Sequence, residues 1–255
     1  MNNISQSRLL VAGALAIPAL LLTKHFYNIY AATAPVPWRN MTEVRSMPES
    51  LSSSASVTTI VNPRGHPSLD DTRFIDVSLP ETASHLKDET ILAALLRGFF
   101  GGHVFAPERV VLKLAGLELT NYPTPDEASP PPAIWDHKRL DGDTLPALHT
   151  ILFGGFKVIH VELGTSSPQH SSSTIDLAFG SSKGQFGGVH RFTILRDGEK
   201  PGVIRVALEH TSCNPTVNKP LKPDIMIPLH NFYAMWLFRE SVAELMQRIA
   251  AEKTL

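Results

Sequence analysis

Thr174-Ile175-Asp176-Leu177-Ala178-Phe179-Gly180, Val189-His190-Arg191-Phe192-Thr193-Ile194-Leu195-Arg196 and Val203-Ile204-Arg205-Val206-Ala207-Leu208-Glu209-His210 are three β-type runs. The Gly-rich segment from Ser181 to Gly188 separates the first two, and Asp197-Gly198-Glu199-Lys200-Pro201-Gly202 separates the last two. Short β-prone runs joined by such turns predict a meander of antiparallel strands. Side chains alternate faces along a strand. His190 therefore shares a face with Phe192 and Ile194, and His210 with Ile204, Val206 and Leu208. Arg191 and Arg205 fall on the other face, where solvent is expected, and Asp176, opposite in face to Ile175 and Leu177, is expected to be exposed as well. If the connecting loop sets His190 directly opposite His210, the two are cross-strand neighbours. A two-residue turn at Asp197-Gly198 would instead put them out of register.

A sheet with one apolar face needs a cover. The long segment from Pro228 to Ala251 supplies it: Pro228 suits a first helical turn. Leu229, Phe232, Tyr233, Met235, Trp236, Leu237 and Phe238 make its first half apolar nearly all round, so burial on several sides is expected there. Upstream, Phe74 to Leu79 alternates as a strand, and Val57 to Val61 reads as a short one. Asp88-Glu89-Thr90 opens a helix carrying Ile91, Leu92, Leu95, Leu96, Phe99 and Phe100, with acidic groups at its positive end. Gly101-Gly102 breaks it and Pro107-Glu108 restarts it. The pair reads as cover for the sheet, or as a mobile lid hinged at Gly101-Gly102-His103. The runs HTILFGG and FKVIHVEL, between Leu148 and Leu163, are strands with a turn at Gly154-Gly155. His160 and Glu162 are expected to point outward.

The chain has 255 residues, 43 % of them apolar, a net charge of −1 and one cysteine, Cys213. The charge balance argues against nucleic acid as a partner. A lone cysteine excludes an internal disulfide, and Cys213 reads as a small packed residue rather than a reactive thiol. No phosphate loop, no GxSxG elbow and no HExxH or Cys/His metal spacing occurs, so neither a cofactor nor a metal is expected.

Leu9 to Thr23 carries no charge, and Leu9 to Tyr30 approaches the ~20 residues of a spanning helix if Lys24 snorkels. The reading adopted is a retained single-pass anchor in an endomembrane, with a cleaved signal ending near Ala32-Thr33-Ala34 and a buried helix as alternatives. Residues 1–34 are then the anchor, 35–56 a Pro- and Ser-rich tether, and 57–255 the folded domain. Two sequons, Asn3-Ile4-Ser5 and Asn40-Met41-Thr42, lie on opposite sides of such a helix. Asn40 would be the glycan acceptor if the domain is lumenal, and each also reads as a chance match.

The order strand, helix pair, antiparallel strands, long C-terminal helix resembles the helix-grip fold of the START-like, polyketide-cyclase-like superfamily. Leu177-Ala178-Phe179-Gly180-Ser181, the GGVHRF run from Gly187 to Phe192, Ala207, His210, Asn214-Pro215 and Tyr233 to Val242 resemble the DUF1990 (UPF0548) family. Val189-His190 stands where that family carries a glutamate before Arg-Phe. Gly98-Phe99-Phe100-Gly101-Gly102 and Phe105-Ala106-Pro107-Glu108-Arg109 resemble a set of anchored fungal proteins found beside secondary-metabolite genes. The resemblance implies an α+β helix-grip domain that takes a hydrophobic small molecule, as a cofactor-free cyclase, isomerase or dehydratase working beside other pathway enzymes. A non-catalytic lipid carrier and an interaction protein are the alternatives. His190 and His210 are the expected proton-transfer pair, each also readable as a hydrogen-bonded core histidine. Phe179, Phe192, Tyr233 and Trp236 are the expected ligand-lining residues.

Overall fold

A computed structural model describes residues 19–123, 130–164, 170–221 and 226–252. Residues 19–33 are helical (α1). There follow β1 (Thr42–Val44), α2 (Glu49–Ser52), a π-helical turn (Ser56–Val61), β2 (Ser68–Ser78), α3 (Asp88–Gly101), α4 (Ala106–Ala115), β3 (Ala133–Ile134), β4 (Ile151–Leu152), β5 (Phe156–Glu162), β6 (His170–Gly180), β7 (Gly187–Asp197), β8 (Val203–Cys213) and α5 (Met226–Ala251). The architecture is α+β: one eight-stranded sheet in the order β1-β2-β8-β7-β6-β5-β4-β3, antiparallel except between β3 and β4.

The three-strand meander forms as its alternation requires, and His190 stands directly opposite His210. Gly154 and Gly155 lie in the tight connection from β4 to β5. The inner face of the sheet packs Ile75, Val77, Leu177, Phe192, Ile194, Ile204, Val206 and Leu208 against α3 and α5. These two helices approach closely because Gly98 has no side chain: a Cβ there would lie 2.7 Å from Ser241 Cα and from Glu244 Cβ. Ser241 Oγ donates to the Leu95 carbonyl at 2.6 Å across the same crossing.

Four expectations are corrected. Val57 to Val61 is not a strand. The serines before it donate to carbonyls a turn back (Ser53 Oγ to Glu49 O at 2.6 Å, Ser54 Oγ to Leu51 O at 2.7 Å), as does Thr58 Oγ1 to Ser54 O at 2.9 Å. These bonds offer the backbone a helical path instead of a ladder. Val57 and Val61 then drop onto the outer face of the sheet beside Tyr122, Ile159, Ala178 and Val189.

Residues 35–56 are not a free tether. Val36 and Leu51 are buried, β1 pairs with β2, and Arg239 donates from Nε to Val36 O (2.9 Å) and from Nη2 to Thr33 O (3.1 Å). The start of α5 is less buried than its composition suggests: Leu229 is 58 % and Phe232 56 % exposed, whereas Phe238, Val242 and Leu245 are fully enclosed. The crossing at Gly98 and Ser241 places the helix's contact with α3 in its second half.

The Gly101-Gly102 break is pinned rather than hinged. Glu240 accepts from the Val104 amide at 2.8 Å and from the His103 amide, while Arg109 Nη1 donates to Gly102 O at 2.7 Å and to Phe100 O.

Residues 1–18, which hold the first ten residues of the Leu9–Tyr30 run and the Asn3 sequon, lie outside the described residues. Among the described residues no single helix is long and apolar enough to cross a membrane.

Candidate functional site

The inner face is apolar along the middle of its central strands and polar at both ends: at one, Ser173 and Arg196 bind Asp88 of α3, and the other carries a richer cluster. Cross-strand pairing sets Asp71 of β2 opposite His210 of β8, and His210 opposite His190 of β7. The three form a row across the sheet that continues into Leu177 of β6. His210 Nδ1 lies 3.3 Å from His190 Nδ1, so one ring donates and the other accepts, and His210 Nε2 lies 3.2 Å from Ser212 Oγ. From above, α5 contributes His230, whose ring centre is 4.6 Å from that of His210. Its Nε2 is buried and has no hydrogen-bond partner among the described residues.

Two residues along β2 on the same face, Arg73 is wholly buried. Its Nη1 binds Asp71 Oδ1, and its Nη2 reaches Glu43 Oε1 at 3.5 Å and Asn231 Oδ1 at 3.3 Å, while its Nε has no partner among the described residues.

Around this polar row the walls are aromatic. Phe179 stacks on His210 with rings 5.5 Å apart and 7° from parallel, and lies 4.7 Å from His190. Gly188 makes that possible, because a Cβ there would collide with the Phe179 ring. Phe99 and Phe156 each stand 5.9 Å from His190.

This setting fixes the protonation states. Burial drives His190 down to about 3, with His230 and Arg73 pushing the same way. Burial, then the neighbouring His190, His230 and Arg73, hold His210 well below its ordinary value. Burial also lowers His230. All three imidazoles are neutral at physiological pH, with a lone pair to offer. Burial pushes the Asp71 carboxyl up to about 6 against the opposing pull of Arg73. Neutral imidazoles and a carboxylate in an apolar nest can accept or relay protons, or ligate a cation.

The expected site residues divide. His190, His210 and Phe179 come together in the row. Phe192 lies one position further along β7 on the same face, fully buried edge-on to Phe99, and is core. Tyr233 points instead to the helix break, its hydroxyl donating to Val104 O at 3.4 Å. Trp236 faces away, beneath the Arg239 guanidinium (4.5 Å) and edge-on to Trp38. Asn40 is exposed at the end of a short turn after α1.

Asp176 and Arg191, expected in solvent, are buried on the outer face in a two-bond ion pair of 2.6 and 2.7 Å. The cover formed by residues 49–61 accounts for this: Ser56 Oγ donates to Asp176, and Arg191 Nη1 donates to Ser50 O at 2.9 Å. Arg205 and the His160–Glu162 pair do stay at the surface.

Sequence reasoning missed Asp71, Arg73, Ser212 and His230. The alternation that marks Phe74 to Leu79 continues backwards, placing Asp71 and Arg73 on the same face as Ile75 and Val77; two charges on a core face were the available signal. Two hollows of about 530 and 380 Å³ lie elsewhere, one beside Arg97, His103, His137 and Glu240 and one beside Asp76, Leu195 and Arg205, and neither is lined by a residue of the row. Comparison with known proteins returns no matching family model, no matching curated protein and no matching solved structure.

Proposed function

We propose that this chain is a membrane-held domain of the helix-grip type that takes a hydrophobic small molecule at the Asp71–His210–His190 row and acts on it by proton transfer, as a cyclase, isomerase or dehydratase of a biosynthetic pathway. The observation that carries the reading is the row itself: three neutral imidazoles and a carboxylate set into an aromatic wall on the face gripped by α5. A neutral imidazole held beside a second one can take a proton at one nitrogen while its neighbour accommodates the change in hydrogen bonding. The aromatic wall would orient an apolar substrate, which is where most of the rate gain in such a site would arise.

The anchor expected at Leu9–Tyr30 fits this reading. Helix α1 leaves Leu20, Leu21, Leu22, Phe26, Tyr27 and Tyr30 exposed, and just beyond it Trp38, Leu229 and Phe232 make a second apolar surface on the domain. Trp38 packs 6.2 Å from both Phe232 and Trp236, and Arg239 ties the end of α1 to α5. Aromatics beside an apolar helix suit the membrane interface, where an apolar substrate is concentrated. His190 and His210 are shielded from solvent, so the ligand would enter as the first turns of α5, with exposed Leu229, move aside.

Native mass spectrometry of the full chain purified from its source tests the reading: a co-purifying small molecule is expected, and it should be lost or accumulate unreacted in His190→Phe and His210→Phe. Product formation that survives both substitutions sinks the proton-transfer role. A second reading, an interaction module with no ligand, draws on the complete burial of Phe192 against Phe99. Absence of any bound molecule under native conditions would favour it.

A further inference from the structure

Asp71, His210 and His230 each offer one ligand atom, and these atoms lie within 4.8 Å of one another. We propose that they form a binding site for a divalent first-row transition ion, with zinc as the working probe. The proposal rests on the reading of the inner-face row as the working site, and adds to it an ion that no spacing in the sequence announces.

Three observations converge. The donor set is two imidazoles and one carboxylate, the combination that suits zinc or ferrous iron and leaves coordination positions open for a substrate. His230 Nε2 is buried without a partner among the described residues, a cost that protein interiors seldom leave standing and that an ion would remove.

Charge is the third. Asp71 and Glu43 both lie against one buried cation, Arg73, so these groups hold more carboxylate than cation charge.

The supporting contacts also have the form that metal ligands need. A ligand histidine is aimed by a partner on its other nitrogen, and a ligand carboxylate by a hydrogen bond to its second oxygen. His210 has His190 and Ser212 on its two ring nitrogens, one of which the ion would replace. Arg73 holds Asp71 Oδ1 and leaves Oδ2 free of it. Metal–ligand bonds of about 2.1 Å put tetrahedral ligand atoms about 3.4 Å apart, so binding draws the three groups inward by rotation of the His230 and Asp71 side chains. His210, fixed in the sheet between β2 and β7, stays in place.

The test uses the full chain, stripped with chelator and titrated with Zn²⁺ by calorimetry, with Co²⁺ absorption reporting the ligand field. One ion per chain is expected. His230→Ala should weaken Zn²⁺ by about 100-fold or more, because it removes a ligand from a partly exposed position whose loss the fold tolerates. Asp71→Asn should do the same, with far-UV circular dichroism checking that Arg73, left without its partner, has not unfolded the protein. His160→Ala, on the solvent-facing edge, should leave affinity unchanged. No stoichiometric uptake by the wild-type chain, or uptake indifferent to both His230→Ala and Asp71→Asn, overturns the site. Either result stands apart from the small-molecule reading, which mass spectrometry decides without reference to metal.

Discussion

The sheet carries a buried polar row on each face, and the two are built to different ends. On the outer face Arg191 and Asp176 meet in a two-bond ion pair, and Ser56 and the Ser50 carbonyl take up what the pair leaves over. On the inner face, one position along the same strands, His190, His210 and Asp71 share their space with His230 and Arg73, and a nitrogen of each of the last two has no partner among the described residues. The Arg191–Asp176 pair is closed, with Glu209 Oε2 the open valence beside it, whereas the inner row leaves two nitrogens open within an aromatic wall. The faces differ because different segments cover them: the 49–61 segment brings hydroxyl and carbonyl groups to the outer row, whereas α3 and α5 bring mostly hydrocarbon, the His230 imidazole and the Asn231 amide to the inner.

The largest effect that would break this contrast lies on the outer face. Arg191→Ala strands Asp176 as an uncompensated buried charge, and about 3–5 kcal/mol of unfolding free energy should be lost. Urea unfolding followed by tryptophan emission measures it. A loss below about 1 kcal/mol would mean the pair is not closed as described.

Glu209, next to Arg191 across the strands, gives the outer face a pH signature. Its Oε1 accepts from Thr193 Oγ1 at 2.8 Å, its Oε2 has no partner among the described residues, and burial pushes the carboxyl up to about 7, with Arg191 pulling it back and Asp176 adding to the rise. The folded state then keeps a proton that the unfolded state gives up from about pH 4.5. The stabilisation is complete below that pH and is lost as the pH rises to about 7. Glu209→Gln lacks the titration. Wild type should lose about 3 kcal/mol relative to the variant between pH 4 and 8, and parallel pH profiles for the two proteins would refute the assignment.

Replacing both members of the outer pair sharpens the point. Asp176→Leu with Arg191→Leu removes the charges together, and paired removal of a buried ion pair is often near neutral. The double variant should therefore recover most of what Arg191→Ala loses, to within about 2 kcal/mol of wild type. A double variant no better than the single one would show that the bonds to Ser56 and Ser50, rather than the pair, hold the segment down.

How much of this was legible follows from what periodicity can carry. The antiparallel meander, the face shared by His190 and Phe192, and the cover by the C-terminal helix all follow from alternation of period two and an apolar helical run. The pairing of His190 with His210 needed only the loop length. What could not be read was the covering of the outer face: whether Arg191 and Asp176 meet water depends on Val57 and Val61, distant in sequence and disguised as a strand. His230 was hidden in the same way. It sits in an apolar helix whose rotation over the sheet is set by Gly98 and Ser241, and no pattern within α5 tells which side meets His210. Asp71 and Arg73 were within reach, since β2's alternation runs back through both.

The smallest expected effect is the most informative about the inner face. His230→Leu in chelator-treated protein removes a buried nitrogen that has no partner among the described residues and replaces it with hydrocarbon. His210 loses no hydrogen bond, because the two rings meet at a tilt of 43° with centres 4.6 Å apart. The unfolding free energy should change by less than about 1 kcal/mol in either direction, against the several lost at Arg191. Adding Zn²⁺ should then separate the proteins: wild type gains stability in proportion to the logarithm of the free ion, as any ligand of the folded state requires, and His230→Leu gains little. A large loss in the metal-free variant would instead make His230 a structural group like Asp176, and the two faces would no longer differ in kind.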